Sequence, residues 1–181
     1  MNSFSNSADD TYLKAQRAQQ EETRRRVERA QDFGELFELV KRIVEQEIGR
    51  HRAGLTLMLS DMPNTVGAYH PVGSNNLVVN RSLVNSMRSI VKDPREINSF
   101  VFMILMHEYL HSLGYLDESE VRKLSQRISA DALGGDHLTV KLANANWLEI
   151  YPELAQLSPS KFSNGFEVVR KFDSSSMSYI G

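Results

Sequence analysis

Two histidines and a glutamate lie within five residues of one another near the middle of the chain, in the run His107-Glu-Tyr-Leu-His111. In an α-helix, residues four apart are separated by about 400° of rotation and about 6 Å of rise, so both imidazoles lie on one face, one turn apart. This spacing allows both to bind one Zn²⁺ at about 2.0–2.1 Å. Glu108 lies between them and can reach a metal-activated water as a general base without ligating the ion. The pattern predicts a hydrolase with one zinc ion per chain.

The segment that carries this motif is predicted to be a buried helix. Asp93 is suited to the N-cap and Pro94 to the first helical position, while Gly114 is suited to the position after the last turn. Apolar residues occupy nearly every face between residues 97 and 113, which indicates a central helix. Buried imidazoles and carboxylates are costly unless they are paired, and a metal ion would supply the pairing. A pair of structural histidines at helical spacing is the alternative.

The motif continues as Ser-Leu-Gly114-Tyr-Leu-Asp117, and in this longer form it resembles the signature of the metzincin clan of zinc metallopeptidases. That signature adds a helix-ending glycine and a third ligand three residues later. The resemblance implies that Gly114, which adopts positive φ at little cost, turns the chain so that Asp117 binds the metal, as in the snapalysin-like branch. Asp117 is also a suitable N-cap for the next helix. A third ligand from a following helix would instead make the chain resemble the gluzincins. The other candidate ligands are Glu120, Asp136 and His137.

Metzincins also have a methionine-containing turn beneath the metal, and residues 175–179, Ser-Ser-Met-Ser-Tyr, are similar to it. The resemblance implies that Met177 forms an apolar floor under the histidines. It also implies that Tyr179 ligates the metal or donates its hydroxyl to the oxyanion of the tetrahedral intermediate. A serine-rich tail that happens to contain a methionine and a tyrosine is the alternative.

Three short strands are predicted to form a small sheet beside the metal-binding helix, over residues 54–60, 66–70 and 76–80. The third is predicted to be an edge strand. In zinc peptidases an edge strand of this kind pairs with extended substrate through its main chain. The candidate substrate-binding residues are therefore Leu77, Val78 and Val79, with a purely structural strand as the alternative. His70 is predicted to lie at the surface, and His51 to be structural.

The remaining sequence is predicted to be mainly helical. Residues 10–31 are rich in Gln, Glu and Arg and favour a solvent-facing helix, whereas residues 33–48 have apolar residues at helical spacing. Further helices are predicted after Asp117, over 138–145 and over 147–157, followed by a loop. The predicted fold class is α+β, zincin-like by resemblance: a small mixed sheet of three or more strands on a central zinc-binding helix, with a long N-terminal helix and a helical C-terminal half. The predicted division is an N-terminal extension, 1–32, and one catalytic domain, 33–181.

Composition excludes several classes of function. The 181 residues include 21 Lys+Arg and 23 Asp+Glu, a net charge of -2, which argues against a nucleic-acid-binding protein. Cysteine is absent, so a thiolate metal site and a cysteine nucleophile are excluded. The longest apolar run, residues 100–106, is far shorter than the roughly 20 residues of a membrane span. With no signal peptide visible at the N-terminus, we expect a cytoplasmic protein.

These observations predict a zinc metallopeptidase acting on a peptide or protein substrate. Two other functions are compatible with the sequence. One is a non-catalytic, zinc-stabilised interaction module that binds a protein partner through the N-terminal helix. The other is a zinc hydrolase that acts on a non-peptide amide.

Overall fold

The computed structural model describes residues 4–158, 165–170 and 172–173. Over these residues the chain forms eight helices and one four-stranded mixed sheet, which confirms the predicted α+β class. The helices are α1 (Phe4–Arg29), α2 (Phe33–Ile48), α3 (Arg81–Ile90), α4 (Pro94–Ser112), α5 (Glu118–Leu133), α6 (Leu138–Asn144), α7 (Trp147–Ile150) and α8 (Glu153–Gln156). The strands are β1 (Thr56–Ser60), β2 (Ala68–Tyr69), β3 (Asn76–Asn80) and β4 (Glu167–Val168).

Helix α4 lies at the centre of the fold. The side chain of Asp93 accepts a hydrogen bond from the backbone N–H of Arg95, and Pro94 occupies the first turn, as the sequence predicted. Nearly every side chain from Ser99 to Leu110 is buried, because α1, α2, α5 and α6 all pack against this helix. The helix ends where Gly114 adopts a φ of 98°. The histidine motif is therefore held in the most constrained part of the molecule.

The strand order is β2-β3-β1-β4, so β3 is paired on both sides. It runs parallel to β1 and antiparallel to β2. The prediction that this strand is an edge of the sheet is therefore wrong, and Leu77, Val78 and Val79, the candidate substrate-binding residues, are at most 2% exposed. Their apolar run is that of an inner strand covered on both faces. The edge strands are β2 and β4.

Three elements differ from the sequence prediction. Helix α3 was not predicted, although Asn80 is its N-cap and Leu83, Val84 and Met87 form its buried face. Strand β4 was predicted to be loop; its two residues are exposed, so no alternation of apolar and polar residues marked it. The helix predicted over 147–157 is divided into α7 and α8 before Pro152, because proline lacks an N–H and restricts the residue preceding it.

The side chain of Asn80 fixes the loop that joins β1 to β2. Its Oδ1 atom accepts hydrogen bonds from the backbone N–H groups of Met62 and Leu83 at 3.1 and 3.2 Å. Its Nδ2 atom donates to the carbonyl oxygens of Met62, Pro63 and Val66 at 2.8–3.1 Å. Since this side chain is buried, it holds residues 62–66 in one position beside α4.

Helix α1 packs on the body of the fold along one side only. Val27 is fully buried. Gln20 donates a hydrogen bond to the carbonyl of Asp131 at 3.0 Å, and Arg24 donates to the carbonyl of Leu133. The other described side chains of α1 are mostly exposed, in line with the predicted solvent-facing helix. Among the described helices, none combines the length and apolar character needed to cross a bilayer.

Candidate metal centre

Two imidazoles and one carboxylate converge at the C-terminal end of α4. The Nε2 atoms of His107 and His111 are 3.1 Å apart. Glu118, the first residue of α5, places Oε2 at 3.2 Å from Nε2 of His107 and Oε1 at 3.2 Å from Nε2 of His111. Within the described part of the chain, these three side chains form the group of ligand-type residues close enough to share a metal ion.

The spacing of the two imidazole nitrogens fits a tetrahedral metal ion. Ligand bonds of 2.0–2.1 Å at tetrahedral angles place neighbouring donor atoms about 3.3 Å apart. The two Nε2 atoms are 3.1 Å apart, close to this value, and each lies 3.2 Å from a different oxygen of Glu118. Two histidines and one glutamate are also a donor set found in catalytic zinc sites, which keep a fourth position for water or substrate. These residues could therefore hold a divalent cation.

The turn after α4 orients His111. Gly114 takes positive φ, and the chain reverses so that the carbonyl of Tyr115 accepts a hydrogen bond from Nδ1 of His111 at 2.7 Å. Because a carbonyl oxygen only accepts, Nδ1 carries a proton, and Nε2 is the ring nitrogen that faces Glu118 and His107. Gly114 was predicted to turn the chain so that Asp117 reaches the metal; in the structure its turn instead brings the carbonyl of Tyr115 to His111.

Burial keeps His107 in the form that binds metals. Desolvation lowers the pKa of its imidazole to about 4, assisted by the positive charges of His111 and Arg122 and opposed by the Glu118 carboxylate. A neutral imidazole is the ligand form. At neutral pH, therefore, no proton has to leave His107 before it binds a metal.

Glu108 lies next to this group and is only 5% exposed. Its Oε2 atom has no hydrogen-bond partner among the described residues, whereas the backbone of His70 hydrogen-bonds to the carboxylate. Desolvation raises the pKa of this carboxyl to about 8, and the negative charge of Glu118 contributes to the rise. A buried carboxyl whose pKa lies near neutrality is suited to accept and return a proton.

A cavity of about 460 Å³ opens beside His107 and Glu108. Its lining includes the segment from Thr65 to Ala68, which leads into edge strand β2, and Trp147, which lies against Gly67 of that segment. The N–H of Asn80 donates to the carbonyl of Gly67, and the N–H of His70 faces Glu108. Backbone groups alternate in direction along a strand. Because the carbonyl of Gly67 points toward β3, the N–H and C=O of Ala68 point away from β3, to the same side as the N–H of His70. The strand edge that borders the cavity is therefore β2.

The carboxylate beside the two histidines is that of Glu118, and not that of the predicted ligand Asp117. The Oδ1 atom of Asp117 accepts a hydrogen bond from the backbone N–H of Glu120 at 2.8 Å, and so it caps α5. An N-cap side chain turns toward the backbone of its own helix, which leaves the next residue facing α4. The sequence signal that could have identified Glu118 is an acidic residue directly after the N-cap.

The other candidate residues lie elsewhere. Asp136 pairs with Arg24, and Nδ1 of His137 accepts a hydrogen bond from the N–H of Thr139 as the N-cap of α6. Glu120 is exposed outside the group. The side chain of His70, predicted at the surface, is partly buried and donates to the carbonyl of Asn76 at 2.8 Å. The predicted site residues Met177 and Tyr179 lie outside the described residues.

Comparison with known proteins adds no relative. No protein family, curated protein or solved structure matches the chain. The function must therefore be argued from the residues of the site and their geometry.

Proposed function

We propose that this chain is a zinc-dependent peptidase in which His107, His111 and Glu118 hold the metal and Glu108 is the general base. The observation that carries the proposal is one juxtaposition: two imidazoles and a carboxylate close enough to share a metal ion, with a buried carboxyl beside them whose Oε2 has no hydrogen-bond partner among the described residues. A site built only to stabilise a fold closes its coordination sphere and needs no base. The cavity and Glu108 therefore favour catalysis over a purely structural zinc site.

The residues around the cavity suit hydrolysis of an extended peptide. A bound zinc ion would polarise a carbonyl group and lower the pKa of water at the site. Glu108 would take the proton of the attacking water at Oε2 and pass it to the amine that leaves. The free edge of β2 at Ala68 would hydrogen-bond to the backbone of the substrate, which fixes the scissile bond beside Glu108.

Within the zinc peptidases, the source of the third ligand favours a gluzincin-like site. Glu118 belongs to the helix that follows the histidine motif, whereas a metzincin-like site would use Asp117. We also propose that the small sheet and the helix α4 together form a zincin-like fold, as the sequence suggests. The two arrangements differ by one residue in the chain, so paired variants distinguish them.

Zinc binding tests the ligand set. In Glu118→Gln, we expect zinc affinity to fall at least tenfold, because a neutral amide replaces the anionic donor. In the matched variant Asp117→Asn, we expect affinity to stay within about threefold, since asparagine caps helices as well as aspartate does. Metal analysis after dialysis and titration against a zinc chelator give both values. Loss of zinc in Asp117→Asn with retention in Glu118→Gln would instead identify Asp117 as the ligand.

Turnover tests the chemistry. We expect the zinc-loaded protein to cleave a mixed pool of synthetic peptides, detected by mass spectrometry. In Glu108→Gln, cleavage should fall by about 10²- to 10⁴-fold, the contribution of a general base, while one zinc ion per chain is retained. If Glu108→Gln cleaves at the unaltered rate, or if zinc-loaded protein cleaves no peptide, the proposed function is incorrect.

A further inference from the structure

We propose that Arg122 forms a carboxylate-binding subsite in the cavity beside the metal centre, and that the preferred substrates are peptides with an apolar side chain and a carboxylate near the scissile bond. This inference rests on the proposed peptidase function and specifies its substrate class. It is carried by the position of Arg122, by the engagement of the neighbouring acid and by the apolar wall of the cavity.

Arg122 lies one helical turn beyond the metal centre. It follows Glu118 by four residues on α5, so the two side chains project from one face of the helix, about 6 Å apart along its axis. Its side chain is exposed, and it lines the same cavity as His107 and Glu108. A cation at this position faces whatever ligand enters the cavity.

The acid nearest to Arg122 on the helix is already engaged. Both oxygens of Glu118 face the two imidazoles. Among the described residues, no carboxylate lies within ion-pair distance of Arg122, whereas Arg127 on the same helix pairs with Asp131 at 3.9 Å. The planar guanidinium of arginine binds a carboxylate through two parallel hydrogen bonds. A ligand carboxylate is therefore the group that complements this end of the cavity.

The rest of the cavity selects an apolar side chain. Ile104, one turn before His107, lines the cavity together with Leu142, Trp147 and Leu148. The indole is fixed, because Nε1 of Trp147 donates to the carbonyl of Asn64 at 2.9 Å. An apolar side chain placed against this wall would exclude water, which strengthens an adjacent ion pair.

Binding of uncleaved peptides tests the subsite apart from turnover. The protein is zinc-loaded Glu108→Gln, and the probes are acetyl-Ala-Ala-Leu with a free C-terminus, its C-terminal amide, and acetyl-Ala-Ala-Leu-Glu amide, whose carboxylate is on a side chain. Isothermal titration calorimetry gives each Kd, with Arg122 intact and in the added variants Arg122→Gln and Lys123→Gln. Lys123 is the matched control, since it is an exposed cation one residue away that does not line this cavity.

With Arg122 intact, we expect at least one carboxylate-bearing peptide to bind about tenfold or more tightly than the amide, as for a charge-assisted hydrogen bond in a protected site. The preferred peptide identifies the source as a chain terminus or an acidic side chain. The preference should be lost in Arg122→Gln and retained in Lys123→Gln. Equal affinities for all three probes would overturn the proposal, and so would a preference that persists without Arg122, because the carboxylate would then contact the metal or another group. Peptide cleavage by the unaltered chain without any Arg122-dependent preference would refute this subsite and leave the peptidase function standing.

Discussion

The buried carboxyl of Glu108 should make the metal-free protein less stable as the pH rises. Its pKa lies at about 8 in the folded chain, against 4.5 for an ordinary glutamate. Between pH 4.5 and pH 8, therefore, the folded state keeps the proton of Glu108 and the unfolded state loses it. The contribution of Glu108 to the free energy of unfolding is fully present below pH 4.5 and declines up to pH 8. At pH 7, which lies about 2.5 pH units above the ordinary glutamate value, the loss amounts to about 3 kcal/mol, at about 1.36 kcal/mol per unit.

Replacing Glu108 by glutamine removes this titration while keeping the shape of the side chain. In the presence of a chelator, we expect Glu108→Gln and the unaltered protein to differ little in unfolding free energy at pH 4.5. At pH 7 we expect the variant to be more stable by about 3 kcal/mol. Urea denaturation followed by circular dichroism at several pH values measures the difference.

Two comparisons complete this experiment. Glu22→Gln, which alters an exposed glutamate of α1, should stay within about 0.5 kcal/mol of the unaltered protein at each pH. Saturating zinc should reduce the advantage of Glu108→Gln, because a neighbouring cation favours the ionised carboxylate. If the stabilities of Glu108→Gln and the unaltered protein run parallel from pH 4.5 to 8, Glu108 ionises as freely as it would in water, and the argument from its burial is wrong.

Two further predictions concern the wall of the cavity. In Asn80→Ala, the loss of five hydrogen bonds should lower the unfolding free energy by about 3 kcal/mol or more. The control Asn85→Ala, at an exposed position, should lower it by at most about 0.5 kcal/mol. Equal urea midpoints for the two variants would contradict this prediction. In Gly67→Ala, the new Cβ would lie 3.1 Å from Cη2 of Trp147, so we expect a shifted emission from this single tryptophan and a loss of about 1–3 kcal/mol. Gly135→Ala, with open space around its Cβ, should change neither the emission spectrum nor the unfolding free energy. An unchanged spectrum in Gly67→Ala would show that Trp147 can move to accommodate the added methyl group.

Helix α4 was predictable because the signals at its two ends are local. Asp93 and Pro94 begin α4 and Gly114 ends it, and each signal acts within one turn of its own position. The position of β3 could not be predicted in this way. Its apolar residues are compatible with an edge or an inner strand, and the outcome depends on β2 and β1 pairing with its two sides, which no residue of β3 specifies.

The histidine pair of the candidate metal centre was predictable, and the carboxylate found beside it is one residue away from the predicted ligand. The spacing of His107 and His111 depends only on helical geometry, and the structure brings their Nε2 atoms together as expected. The identity of the third side chain, a carboxylate, depends on how the chain turns between two helices. Asp117 and Glu118 are adjacent acids, and the sequence is compatible with Asp117 either as a ligand or as an N-cap. Because the side chain of Asp117 is bound to the backbone of its own helix, the next residue, Glu118, faces the histidines.

The turn that joins α4 to α5 links folding to chemistry. Gly114 brings the carbonyl of Tyr115 to His111, which selects the imidazole tautomer, and a few residues later Glu118 comes opposite both rings. Both contacts depend on the left-handed conformation of one residue. A side chain at position 114 has open space around it, so its cost would come from backbone strain alone. The same strain would move the acceptor of His111 and the carboxylate of Glu118 together, since both are attached to the one rigid turn.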